Sequence, residues 1–149
     1  MDETRSIQEL QTLRNELTVK PFGVGECRDY DRGINDWLAE TNAWSGNPVS
    51  AFDFPLRYRL KSLCSLYGFS LRDLTHPGTL LIDNPSQAVT FVGNHDIVRN
   101  DSIVNDKMLA YAFILTHEGY PSVFWQDYYE WGLGLEDEKK RYCTAGSHP

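Results

Sequence analysis

Four short apolar runs, spaced by segments long enough for helices, constrain this chain more than any other feature of its sequence. They occupy residues 22–25, 49–54, 88–92 and 122–125. Each is rich in β-branched or aromatic residues and bounded by Gly, Pro or Asn, the pattern of short buried strands. The intervening segments carry apolar residues at helical spacing. Residues 3–17 place Ile7, Leu10, Leu13 and Leu17 on one face; residues 33–42 do the same with Ile34, Trp37 and Leu38, capped by Asp29 or Asp31. Residues 56–67 use Leu60, Leu63 and Leu66 and close at Gly68, and residues 107–116 are apolar nearly all round, which predicts a well-buried helix. Residues 70–87 read as an irregular excursion with a helical turn near Leu71–Leu74. The order α-β-α-β-α-β-α-β, with crossover-length connections, predicts an α/β fold: parallel strands, right-handed units and helices outside. Four such units amount to half of an eight-stranded barrel.

The strand ends carry the chemistry. The first run stops at Gly25-Glu26, the second passes Asp53 and is broken by Pro55, and the third stops at Gly93-Asn94-His95-Asp96. In parallel α/β folds polar side chains at the carboxyl ends of strands line the functional face. Glu26, His95 and Asp96 are therefore expected to face one cleft, while Asp53 is expected to tie a strand end to a neighbouring helix or loop. A metal reading fails, because consecutive strand residues point to opposite faces and no second His stands at ligand spacing. His76, His117 and His148 are read as surface residues. Trp125 is expected to pack in the barrel, and Asp127 and Tyr128, just beyond the fourth run, to border the cleft.

The totals exclude several classes. At 149 residues the chain fits one domain, and a net charge of −7 opposes non-specific nucleic-acid binding. No apolar run approaches the roughly 18 residues of a membrane span. Asp2 and Glu3 open the chain where a secretory signal would be basic and then apolar, so the sequence as it stands reads as soluble and cytoplasmic. Cys27, Cys64 and Cys143 lie far apart without a C-x-x-C pair and read as reduced thiols. Residues 136–149, charged and then small and polar, are expected to fray.

Taken together, Gly25-Glu26, Phe52-Asp53-Phe54-Pro55-Leu56, Phe91-Val92-Gly93-Asn94-His95-Asp96 and Gly119-Tyr120-Pro121-Ser122-Val123-Phe124 resemble the α-amylase family of glycoside hydrolases. The segments follow in that family's order, and residues 110–116 match the helix before its last barrel strand. The resemblance covers roughly residues 21–133 and implies about strands five to eight of a (β/α)8 barrel, a single partial catalytic domain over residues 1–149. It implies Glu26 as general acid/base, Asp96 as transition-state stabiliser and His95 as a sugar-binding residue. It also implies starch- or glycogen-type α-glucan as substrate through a covalent glycosyl-enzyme intermediate. The chemistry is coherent: a leaving alkoxide needs a proton, and an oxocarbenium-like sugar needs a nearby negative charge.

The sequence also departs from the family. A retaining glycosidase needs a second carboxylate about 5–5.5 Å from the first, and the family's nucleophilic Asp, its accompanying Arg and its usual calcium ligands precede the matched region. The expectation is a chain that carries the acid/base half of a site, uses no cofactor and is inactive alone. Cys27, Gly93 and Trp125-Gln126 replace an aromatic, an acid and Tyr-Gly, and Gly93 is expected to loosen the loop that carries His95. The alternative is a non-catalytic half-barrel that binds glucan or pairs with another chain through its open edges. A third reading is a partial chain with no function of its own.

Overall fold

Among the described residues one parallel sheet has four strands: the first three fall within the first three apolar runs, and the fourth lies just before the run at 122–125 and meets it only at Ser122. The computed structural model describes residues 12, 16, 22–28, 33–45, 48–65, 70–98 and 101–130. The strands are β1 (Val24–Gly25), β2 (Ser50–Phe52), β3 (Ala88–Phe91) and β4 (Tyr120–Ser122), in the order β1-β2-β3-β4. Gly25 pairs with Ala51, Phe52 with Val89 and Phe91 with Ser122, all parallel. Helices α1 (Gly33–Ser45), α2 (Phe54–Ser65), α3 (Leu80–Asp83) and α4 (Lys107–Thr116) fill the crossovers, and α5 (Trp125–Glu130) follows β4. Each strand lies beside its sequence neighbour, and the order never reverses as it does in a doubly wound sheet. Singly wound parallel units are the plan of a (β/α)8 barrel.

The sheet is also curled. In a flat sheet β1 and β4 would stand about 14 Å apart, three strand spacings, with side chains perpendicular to the plane. Instead Phe22, entering β1, meets Tyr120 of β4 edge to face at 5.1 Å between ring centroids. Alternation along the strands separates two faces. Ala51 and Ala88 pack with Ile34 and Leu38 of α1 and Leu80 of α3. Phe91 instead joins Phe54, Ile97 and Phe52 in an aromatic cluster. Within it Phe52–Phe91 and Phe54–Phe91 lie 5.3 and 5.0 Å apart as T-shaped pairs, each contributing about 0.5–1.5 kcal/mol beyond its buried area. A third cluster seals α2 against α4 through Leu56, Leu60, Val92, Ala110, Tyr111 and Ile114.

Several expectations need correction. Pro55 does not break β2 from outside; it sits in the first turn of α2, where its missing N–H costs nothing. The fourth strand ends at Ser122, and Trp125 begins α5 with 60% of its surface exposed, so it is not barrel packing. Helix α4 buries only Lys107, Ala110, Tyr111 and Ile114, while Met108, Leu109 and Leu115 face outward. The excursion over 70–87 holds 3-10 turns at Leu71–Thr75 and Pro85–Gln87 around α3. Of the amphipathic segment 3–17 only Thr12 and Glu16 are described, both helical and exposed, while its apolar face, the caps Asp29 and Asp31, Leu66, Gly68 and the tail 136–149 lie outside the described residues. Among the described residues no helix is long and apolar enough to cross a membrane.

Candidate active site

Glu26 follows β1 directly, at the carboxyl end of the sheet. The residue before it must be Gly: a Cβ on Gly25 would lie 2.2 Å from the Trp37 ring, which α1 lays across the strand end. Cys27 turns toward that same apolar cluster, leaving Glu26 and Arg28 exposed.

His95 and Asp96 follow β3 on a turn that Asn94 organises. Its side-chain oxygen accepts from the backbone N–H of Asp96 (3.1 Å) and of Ile97 (3.0 Å), the hydrogen bonding for which Asn is favoured in turns. Ile97 is buried in the aromatic cluster and anchors the turn from below. Gly93, read from the sequence as a loosening residue, is a close approach instead: a Cβ there would stand 3.2 Å from an oxygen of Asp127.

One guanidinium connects the two strand ends. Arg28 donates from Nε to Glu26 Oε1 at 3.1 Å and from Nη2 to Asp96 Oδ2 at 2.6 Å. His95 Nε2 lies 3.4 Å from Asp96 Oδ1. The Arg28 charge also stands 5.7 Å above the Phe54 ring centroid. The hydrogen bond to Glu26 is the largest influence on Arg28 and raises its pKa; desolvation opposes it, and the charges of Glu26 and Asp96 add to it. Arg28 thus brings Glu26 and Asp96 together, with His95 beside Asp96, although β1 and β3 are separated by β2. The sequence reading missed Arg28, whose only signal is a cation two residues after Glu26.

Asp53 does not belong to this group. It is fully buried, and its oxygens accept from the N–H of Leu56 (3.0 Å) and of Leu81 (2.8 Å), so it caps α2 and ties α3 to it. Burial pushes its carboxyl above the ordinary range, more than the hydrogen bonds from Leu81 and Leu56 lower it. Asp127 does not border a cleft. It is 1% exposed and accepts from Lys107 Nζ and Tyr111 Oη, both at 2.6 Å. Tyr128, one residue on, is exposed. His76 and His117 lie at the surface as expected, and His148 falls outside the described residues. Among the described residues no three His, Cys, Asp or Glu side chains are grouped to hold a metal ion.

No protein-family model matches the chain. Curated proteins do. The α-amylase of Geobacillus stearothermophilus is 38% identical over 128 residues, 80% of this chain and 22% of the relative. The glucan 1,4-alpha-maltohexaosidase of Bacillus sp. (strain 707) is 43% identical over 125 residues, 78% of this chain and 23% of the relative. The α-amylase of Bacillus licheniformis is 35% identical over 144 residues, 91% of this chain and 26% of the relative. The chain thus spans about a quarter of the length of these relatives. Its parallel, singly wound β/α units match part of a (β/α)8 barrel. Identity of 35–43% sustained over 78–91% of its length makes this chain a member of the α-amylase family of glycoside hydrolases.

Proposed function

We propose that these 149 residues carry the acid/base half of an α-1,4-glucan site, with Glu26 as general acid/base, Asp96 as transition-state stabiliser and His95 as a sugar-hydroxyl partner. The observation that carries this reading is the Arg28 bridge, which brings Glu26 and Asp96 within the span of one guanidinium. A glycosidic oxygen departing beside Glu26 would leave its anomeric carbon near Asp96, whose charge suits a developing oxocarbenium ion. The substrate class follows from relatives named for α-amylase and glucan 1,4-alpha-maltohexaosidase activity.

Retention also needs a nucleophilic carboxylate. Asp53 ends the intervening strand, but its oxygens are taken by backbone amides inside the fold. The nucleophile then has to come from outside the residues that form this edge, and the chain by itself binds glucan without turning it over. Reducing-sugar release from soluble starch tests this, with Glu26→Gln in parallel. The expected result is no release by either protein. Release by the wild type that Glu26→Gln leaves unchanged overturns the role of Glu26.

A further inference from the structure

The His95–Asp96 turn is held by a cation that the proposed chemistry does not use. Arg57, in the first turn of α2, is fully buried. A guanidinium withdrawn from water must be met by acceptors. Its Nε donates to the Val92 carbonyl at 3.4 Å. Its Nη1 and Nη2 donate to the carboxylate and the backbone carbonyl of Asp101. The Tyr58 ring lies 5.5 Å from its charge. Lys61, one turn further along α2, also bonds the Asp101 carboxylate.

The placement of these acceptors is what matters. Val92 is the residue before Gly93 and the turn, and Asp101 lies beyond it, bonded through its N–H to the Ile97 carbonyl at 2.9 Å. One buried cation thus fastens both ends of the segment that displays His95 and Asp96. The His95 side chain is 82% exposed, so its position depends on the backbone beneath it and little on packing around the ring. Helix α2 is in turn fixed to the sheet by Asp53, which also accepts the Arg57 N–H through its own carbonyl at 3.1 Å.

We infer that Arg57 is a positioning residue for the sugar site: through Val92 and Asp101 it sets where Asn94–Ile97 stands, and so where His95 and Asp96 meet a glucan. The inference rests on the reading of His95 and Asp96 as glucan-binding residues. Arg57 is buried and acts only through the turn.

The test compares Arg57→Met, Arg57→Lys and Asp101→Asn in the full chain by amide hydrogen exchange and by NMR titration with maltohexaose. Two amides report the turn, Asp96 and Ile97, and two report the body of the fold, Leu56 and Leu81, both bonded to Asp53. In Arg57→Met the turn amides should exchange at least about tenfold faster while the body amides hold, as expected for local opening. Maltohexaose affinity should fall by a similar factor, and Arg57→Lys should recover part of both effects. Equal acceleration at all four amides, unchanged turn exchange, or a Lys variant indistinguishable from Met would each overturn the positioning role. If Arg57→Met does not fold, Asp101→Asn carries the same comparison, because it leaves Arg57 its bond to Val92. A wild-type chain that binds no maltohexaose overturns the sugar-site reading. A wild type that binds, with Arg57→Met binding equally well, overturns the role of Arg57 alone.

Discussion

Removing the charge of Asp127 should destabilise this fold far more than removing either exposed carboxylate of the candidate site. Asp127 is 1% exposed, and both its oxygens are engaged at 2.6 Å, by the Lys107 ammonium and the Tyr111 hydroxyl. Lys107 keeps only 9% of its side-chain surface. Breaking a buried ion pair from one side typically costs about 3–5 kcal/mol, since the remaining charge stays desolvated. Loss of the Tyr111 partner adds about 1 kcal/mol. Asp127→Ala should therefore lose roughly 4–6 kcal/mol, a large share of the about 5–15 kcal/mol that holds an ordinary domain. Replacing both charges, as in Lys107→Met with Asp127→Leu, should recover much of that loss, because hydrophobic substitutes for a buried pair are often near neutral. Urea unfolding followed by far-ultraviolet circular dichroism at neutral pH, run as a double-mutant cycle, measures both quantities. A loss below about 1 kcal/mol for Asp127→Ala, or strict additivity of the two single changes, would refute the buried-lock reasoning.

Other expectations follow from neighbouring groups. Asp53→Ala removes the cap of α2 and strands the Leu81 N–H, which should cost about 2–4 kcal/mol by the same unfolding assay. The pH dependence has two opposed contributions. Burial alone would raise the Asp101 carboxyl, but the Lys61 hydrogen bond and the Arg57 charge outweigh it and hold it below the ordinary range. That stabilisation is present above the unfolded value of about 4 and disappears as pH falls through the lower folded value. Asp53, pushed upward by burial, has the reverse sign: its contribution is present below about 4 and fades as pH rises through its folded value. Asp101→Asn should accordingly flatten the loss of stability between neutral and acid pH, read from urea midpoints. Gly93→Asp sets a second carboxylate against Asp127 and should cost about 1–3 kcal/mol. By contrast, Asp96→Asn, at a half-exposed ion pair, should change stability by less than about 1 kcal/mol.

The first three strands were legible because each falls in a short apolar run, and because Glu26 and His95-Asp96 follow the Gly25 and Gly93-Asn94 stops; the fourth was placed too late, since β4 is Tyr120–Ser122. The capping role of Asp53 was legible from its place between a strand and a helix. Composition could not show exposure on α4, since Met108, Leu109 and Leu115 read as core and yet face outward. Trp125 misled for a related reason: an indole continues an apolar run, but the backbone has already left the sheet at Ser122. Asp127 read as a cleft residue because its partners, Lys107 and Tyr111, lie 20 and 16 residues away and belong to another helix. Arg28 and Arg57 were missed for the same cause. Each gains its meaning from acceptors on β3 or its following loop, 68 residues away for the Arg28–Asp96 pair and 44 for Arg57–Asp101. No local pattern announces a pairing at that distance.

The assignment of Glu26, His95 and Asp96 to one glucan-binding edge is tested most directly by titrating the isotope-labelled chain with maltohexaose and following its NMR spectrum. Millimolar binding is worth only about 4 kcal/mol and is still visible this way. Saturable shifts should centre on Glu26, Arg28, His95 and Asp96 and vanish in Asp96→Ala, while Lys107, Tyr111 and Asp127 stay unmoved. Saturable shifts centred elsewhere, or none up to about 10 mM sugar, would contradict the assignment.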